Sequence, residues 1–309
     1  MKMNESILIT GANAGLGKET ARQLALKAET KRIILACRNP QKAEIAKKEL
    51  EESTGKQIFE IMIMDVSDAQ SVKKAVSELD GEIDAVILNA GGMGGRTPEK
   101  MTPSGMNELA SVNTLGHVVL VDELIKEGRI KNVVMLASSE AARGIKKMGM
   151  MRPALKTNST EELASILDGT YFGDKLDPMQ AYGHVKYVAT LWMSSMARKH
   201  PSIKFVSMSP GSTSGTSAAD NAPTMVKFMF KYIMMPIVLP LRGMVHKVGK
   251  GAARYVDAIT NNNYQSGGFY ASEESKVVGQ VVDQFKIYPV MANPEFQDNA
   301  HQALHKFIP

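Results

Sequence analysis

Short, nearly unbroken apolar runs alternate along the chain with longer stretches in which apolar residues recur every three or four positions. The runs Ile7–Thr10, Arg32–Ala36, Ile58–Met64, Ala85–Leu88, Asn132–Ala137, Ile203–Ser209 and Gly268–Tyr270 predict strands. Between them the periodicity predicts helices near Leu16–Ala28, Gln41–Ser53, Ala69–Leu79, Ser104–Lys126 (in two segments), Ala181–Lys199 and Gly251–Ile259. Strands that are apolar throughout, rather than at alternate positions, are expected where helices cover both faces of a parallel sheet. The pattern therefore predicts an α/β fold, a doubly wound parallel sheet, in a single domain over residues 1–309. No Gly/Ser tract, charge block or internal repeat divides it.

Ligands of such sheets lie beyond the carboxyl ends of the strands, so the residues that follow each strand are the candidates for chemistry. The first strand runs into Gly11-Ala12-Asn13-Ala14-Gly15-Leu16-Gly17 and then a helix. Glycines there let the backbone turn tightly beside a phosphate, and the helix directs free N–H groups and its positive end at that charge. Gly11, Asn13, Ala14, Gly15, Leu16 and Gly17 are thus candidate dinucleotide-binding residues. The second strand ends at Cys37-Arg38, and no acidic residue stands between Lys31 and Lys42. An acidic side chain at this place would take the ribose hydroxyls of NAD. A guanidinium fits the 2′-phosphate of NADP, so Arg38 makes NADP(H) the expected cofactor. Asp65 and Val66 follow the third strand, where a carboxylate can meet an adenine amino group. Small residues Asn89, Ala90 and Gly91 follow the fourth, Ser138 and Ser139 the fifth, Pro210 and Gly211 the sixth.

Tyr182 and Lys186, four apart, fall on one face of a predicted helix. A phenol must drop about three units from its usual value, about 4 kcal/mol, to act as a base near neutrality, whereas neutral Tyr182 can donate its proton as it stands. Ser139 can hold a substrate oxygen near that phenol. Asn113 interrupts an apolar helical run, where a buried amide would bend the helix and fix a water passing protons to Lys186.

Composition narrows the picture only modestly. The 309 residues carry 37 basic and 32 acidic side chains, a net +5 spread along the chain, which gives no reason to expect nucleic acid. The lone cysteine, Cys37, forms no internal disulfide and reads as a small buried side chain beside the cofactor. The first strand begins too close to Met1 for a signal peptide, so a cytoplasmic protein is expected and the Asn158-Ser159-Thr160 sequon carries no weight. Thr224–Leu241 is greasy, but Lys227, Lys231, Pro236 and Pro240 argue against a membrane span. A substrate cap at about 212–247 and a helix resting on a membrane surface both stay open, and either suits an apolar substrate. His301 and His305 have metal-binding spacing without a third ligand, so a solvated helix and no metal are expected there.

Taken together, Thr10-Gly11-x-x-x-Gly15-x-Gly17, Asp65, Asn89-Ala90-Gly91, Asn113, Ser139, Tyr182 with Lys186, and Pro210-Gly211 resemble the short-chain dehydrogenase/reductase family. Leu35–Asn39 and Gly17–Ala21 look most like its retinol-dehydrogenase-like branch. The resemblance implies a Rossmann fold and NADP(H). It implies Tyr182 as general acid/base, Lys186 at the nicotinamide ribose, Ser139 orienting the carbonyl and Asn113 completing a proton relay. Two departures stand out. Ser139 and Tyr182 are much farther apart than in most members, so about 148–178 is an insertion at the active site, with a helix over Thr160–Asp168. The threonine expected after Pro-Gly is displaced: position 215 is Gly, flanked by Thr213 and Thr216. The expected activity is hydride exchange between nicotinamide and a carbonyl or alcohol carbon of an apolar small molecule. A non-catalytic NADP(H) sensor on the same fold is the alternative. Homo-oligomers through the helices near Ser104–Lys126 and Ala181–Lys199 also stay open.

Overall fold

The computed structural model describes residues 4–93, 97–146, 149–173, 176–214 and 245–308. Eight strands form one sheet: β1 (Ser6–Thr10), β2 (Arg32–Cys37), β3 (Phe59–Ile63), β4 (Ile83–Leu88), β5 (Ile130–Ala137), β6 (Lys204–Met208), β7 (Phe269–Ser272) and β8 (Val281–Asp283). Their order is β3-β2-β1-β4-β5-β6-β7-β8, with β1 to β7 parallel and β8 antiparallel at the edge. The order reverses between β1 and β4, which opens the crevice where this class of sheet binds its ligands. The doubly wound α/β fold is the one expected. β8 was not anticipated, because three residues are too few to display a period.

Helices α1 (Gly15–Ala25), α2 (Pro40–Thr54) and α3 (Ala69–Ser77) make the crossovers of the first half. Next come α4 (Glu108–Ala110), a π-helical turn at Ser111–Leu115 and α5 (Gly116–Lys126), which run on as one rod. The insertion carries α6 (Thr160–Asp168), as predicted, and α7 (Pro178–Lys199) follows it. Then come α8 (Val248–Thr260) and α9 (Pro294–His305). The greasy stretch 224–241, and with it most of the expected cap, lies outside the described residues. Among those described, no helix is long and apolar enough to cross a membrane.

Two apolar layers flank the sheet. On one side Ile7, Ile9, Leu35, Ile87 and Met135 face Leu24 and Tyr255; on the other Leu8, Ile34, Val86 and Leu136 face Val118, Val185 and Trp192. Full burial of each large side chain contributes about 1.5–3 kcal/mol. Every residue of α7 from Gly183 to Met196 is buried, because α6 and α9 close over the face that the sheet leaves open. Ser195 donates to Asp298 at 2.6 Å and Arg198 to Asp298 at 2.5 Å, pinning α9 in place. This corrects the expectation of a solvated terminal helix: Gln297, Ala300, Ala303 and Leu304 form a buried stripe at helical spacing. His305 Nε2 lies 2.9 Å from the Asp122 carboxylate, and the His301 and His305 rings stack at 4.0 Å. α7 is thereby covered within its own chain. Asn158 of the sequon is also internal, at φ +53°, accepting from the Tyr187 hydroxyl at 2.6 Å.

Candidate active site

The glycine loop closes for steric reasons. Gly11 sits at φ +66°, and a Cβ there would approach the Ala90 Cα to 3.1 Å; one on Gly17 would fall 2.5 Å from the Gly11 carbonyl. Gly15, at φ +54°, instead faces open space. The N-cap of α1 is Ala14, whose side chain offers no hydrogen bond, whereas Asn39, Asp68, Ser159, Asp177 and Asn293 cap α2, α3, α6, α7 and α9. Bare N–H groups beside an open glycine are what a phosphate would occupy. Leu16 packs partly buried against the neighbouring core, and Cys37 lies beneath the loop, near the amides of Ala12 and Asn13. Burial pushes the Cys37 thiol up to about 11, so it stays protonated.

Arg38 is exposed, its guanidinium 3.7 Å from the Asp65 carboxylate. The other oxygen of Asp65 accepts from Ser67 N at 2.9 Å and Ser67 Oγ at 2.6 Å, which closes a turn. Val66 accepts from Gly116 N at 2.8 Å, and its backbone touches that glycine so closely that a Cβ there would come within 2.4 Å. The Asp65–Val66 loop therefore rests directly on α5. Thr10 joins three elements: its Oγ1 accepts from Asn89 N and Ala90 N, both at 2.9 Å, and lies 3.1 Å from His117 Nε2. With two donors already taken, the hydroxyl proton has His117 as the nearer acceptor, ahead of the Ile87 carbonyl at 3.4 Å. That requires a neutral ring, and burial followed by the charge of Lys186 pushes His117 down to about 3.

The structure brings Ser139, Tyr182 and Lys186 together. Ser139 follows β5 and opens a 3₁₀ turn, Glu140–Arg143, whose Ala141 N–H it accepts at 3.1 Å. Ser139 faces the Tyr182 phenol, where its hydroxyl favours the ionised form. Part of Tyr182 stays open to the cleft, yet desolvation pushes its phenol up to about 12; Ser139 opposes that rise and the charge of Glu140 adds to it. Lys186 is buried, donates to the Ala137 carbonyl at 2.9 Å, and lies 5.6 Å from the centre of the Tyr182 ring. Desolvation pulls its ammonium down to about 8. Asn113 sits within the π-helical turn. Its amide, however, donates to the Gly92 carbonyl at 2.7 Å and the Leu109 carbonyl at 2.8 Å, and accepts from Gly92 N at 3.2 Å. Both amide hydrogens are committed, so the side chain clamps the Gly91-Gly92 loop, and any relay water would have to be held by backbone.

Pro210, Gly211 and Thr213 follow β6. Thr213 donates to the Gly211 carbonyl at 2.9 Å, while Gly215 and Thr216 lie outside the described residues. His246, which the sequence did not single out, donates from Nε2 to the Pro210 carbonyl at 2.7 Å. Glu140, Arg143 and Arg254 were missed as well. Charged residues read as solvated in a sequence, and nothing local marks these three as buried. Among the described residues no cluster of three or more metal-ligating side chains occurs.

A switch-point crevice, a helix without a side-chain cap above a glycine loop, and a serine–tyrosine–lysine cluster define the site of this doubly wound α/β protein. Residues 5–150 match the family model described as short chain dehydrogenase. Human retinol dehydrogenase 11 is 36% identical over 140 residues, which are 42% of this chain and 43% of that protein. Dehydrogenase/reductase SDR family member 12 of Bos taurus is 30% identical over 211 residues, 67% of this chain and 60% of that protein. The matched part thus spans less than two thirds of the length of these relatives. Salutaridine reductase from Papaver somniferum superimposes with a TM-score of 0.63 at 16% identity, covering 87% of this chain and all of the other. NADPH-bound carbonyl reductase from chicken fatty liver gives 0.58 at 19% identity, with coverage of 90% and 100%. By these matches the chain is similar to the short-chain dehydrogenase/reductase family, with retinol dehydrogenases among its relatives.

Proposed function

We propose that the chain is an NADP(H)-dependent reductase of a carbonyl group on an apolar small molecule, with Tyr182 as the proton donor. The observation that carries this reading is the Ser139–Tyr182–Lys186 cluster at the mouth of the crevice. The glycine loop and the uncapped α1 terminus would hold the pyrophosphate. Arg38, exposed and oriented by Asp65, would take the 2′-phosphate, with Val66, Ala90 and Gly91 beneath the adenosine half. Pro210, Gly211 and Thr213 would face the nicotinamide. When bound, that ring supplies the hydride.

The chain's own groups do the rest. Ser139 Oγ holds the carbonyl oxygen, and the phenol of Tyr182, protonated throughout the neutral range, gives that oxygen its proton. Lys186 remains largely cationic at pH 7, its charge anchored at the Ala137 carbonyl, and it offsets negative charge left on the phenol. As a general base Tyr182 would start several units too high, which supports reduction as the natural direction. Tyr171 and Phe172 of the insertion pack against His184 in the first turns of α7, which brings aromatic surface to that end of the helix and suits an apolar substrate. The names of the retinol dehydrogenase relatives point to the same class.

Tyr182→Phe tests the reading. Consumption of NADPH against a panel of aliphatic, aromatic and isoprenoid aldehydes and ketones should fall by about 10²–10⁴-fold. NADPH binding, read by nucleotide fluorescence, should persist. Full activity in that variant would overturn the mechanism.

A further inference from the structure

Glu140 directly follows the active-site serine, yet its side chain points into the protein and only 3% of it is exposed. One carboxylate oxygen accepts from Ser209 Oγ at 2.5 Å, and Ser209 Oγ in turn accepts from Gly211 N at 3.0 Å. The other accepts from Ser272 N at 3.1 Å and faces Arg254 Nη1 at 3.7 Å. Arg254, also buried, donates to the Ser209 carbonyl at 3.2 Å and the Gly279 carbonyl at 2.8 Å. Around Gly211, at φ +73°, there is no spare room: a Cβ would fall 2.9 Å from Arg254 Nη1 and 2.9 Å from the Val277 carbonyl. The same 3₁₀ turn presents Arg143, which donates to the carbonyls of Ser272, Glu273 and Glu274, each at 3.0 Å. Two buried charges thus leave one short turn and tie it to β7 and to the loop after β6.

A carboxylate and a guanidinium are costly to desolvate, and similar volume could be filled by apolar side chains at no loss of stability. What the apolar version could not do is fix one geometry for two loops at once. We propose that Glu140 is a positioning residue: through Ser209 and Arg254 it locks the turn that carries Ser139 to the Pro210–Gly211 loop, so that the substrate-holding hydroxyl and the wall facing the nicotinamide keep a fixed spacing. The proposal rests on the reductase reading of the same site. Hydride transfer tolerates little misplacement of the reacting atoms, which gives such a lock a purpose. Glu140 has a second effect, because its negative charge favours the protonated phenol of Tyr182. The other polar or charged groups around that phenol are Ser139, Lys186 on α7 and Tyr255 on α8, with Arg254 already paired to Glu140.

Two variants of the full chain separate these roles. Ser209→Ala keeps the Glu140–Arg254 pair and removes the hydroxyl that joins Glu140 to Gly211 N, with both of its hydrogen bonds. In cofactor-free protein it should raise amide hydrogen exchange across residues 211–213 by about 10-fold or more, with β1 and β4 unchanged. It should also weaken NADPH binding and leave the pH profile in place. Glu140→Gln should loosen the same amides and move the alkaline limb of kcat/KM for reduction to lower pH by about half a unit or more. Unchanged exchange at 211–213 in Ser209→Ala overturns the lock, whether or not Glu140→Gln folds. A folded Glu140→Gln with an unmoved alkaline limb overturns the electrostatic part. Failure of the wild-type chain to turn over any carbonyl would instead strike the reductase reading, and the exchange comparison would still decide the lock.

Discussion

Lys186 should make the protein less stable than it need be, and replacing it by methionine should expose that cost. Burial pulls its ammonium from 10.5 down to about 8, a difference of about 3 kcal/mol between carrying that charge in water and in the cleft. Methionine has the length and flexibility to fill the same space without charge. Against the gain stands the lost hydrogen bond to the Ala137 carbonyl, about 1–2 kcal/mol. Lys186→Met should therefore stabilise the chain at pH 7 by about 1–2 kcal/mol, raising Tm by about 3 °C, while turnover drops at least 100-fold. The sign of the pH dependence follows from which state holds the proton. Between about pH 8 and 10.5 the unfolded chain keeps its lysine protonated after the folded one has released it, so wild-type stability rises through that window. The advantage of the methionine variant is then greatest below pH 8 and narrows by pH 10. Thermal melts of both proteins without cofactor at pH 7 and pH 10 measure this directly. A methionine variant that melts below wild type at pH 7, or a gap identical at the two pH values, would refute the reasoning.

Three further outcomes can be checked. Gly116→Ala forces a Cβ to within 2.4 Å of the Val66 backbone, so α5 must shift; chemical denaturation should report a loss of about 1–3 kcal/mol and titration a weaker NADPH affinity. Arg38→Asp should turn the preference of kcat/KM from NADPH toward NADH, and an unchanged ratio would remove Arg38 as the reader of the 2′-phosphate. Asn158→Ala strands the buried Tyr187 hydroxyl and places a residue with no local hydrogen bond at φ +53°, costing about 2–3 kcal/mol; Asn158→Asp, which keeps the acceptor, should lose less.

What the sequence revealed and what it hid divide along a physical line. Tyr182 and Lys186 were legible because one helix fixes their relation, and Gly11 to Gly17 because strand, turn and helix adjoin in the chain. The parallel sheet was legible in its continuous apolar runs. Glu140, Arg254 and Ser209 were not, since their meeting depends on how three separate elements pack. α9 was misjudged for a similar reason: its stripe is weakly apolar, and only the presence of α7 beneath it shows which face is buried. Asn113 was located correctly, yet its partners at Gly92 come from a loop whose path the letters do not give.

The clasp that Arg143 and Glu140 make with β7 also bears on how the protein comes into being. Synthesis proceeds from the amino end at about 5–20 residues per second, so the glycine loop and the first five strands emerge well before residues 254–284. Until those later residues arrive, Arg143 lacks its carbonyl partners around β7, and Glu140 has Ser209 but neither Arg254 nor the Ser272 amide. A nascent chain should therefore acquire the shape of its nucleotide crevice seconds before it acquires a working serine.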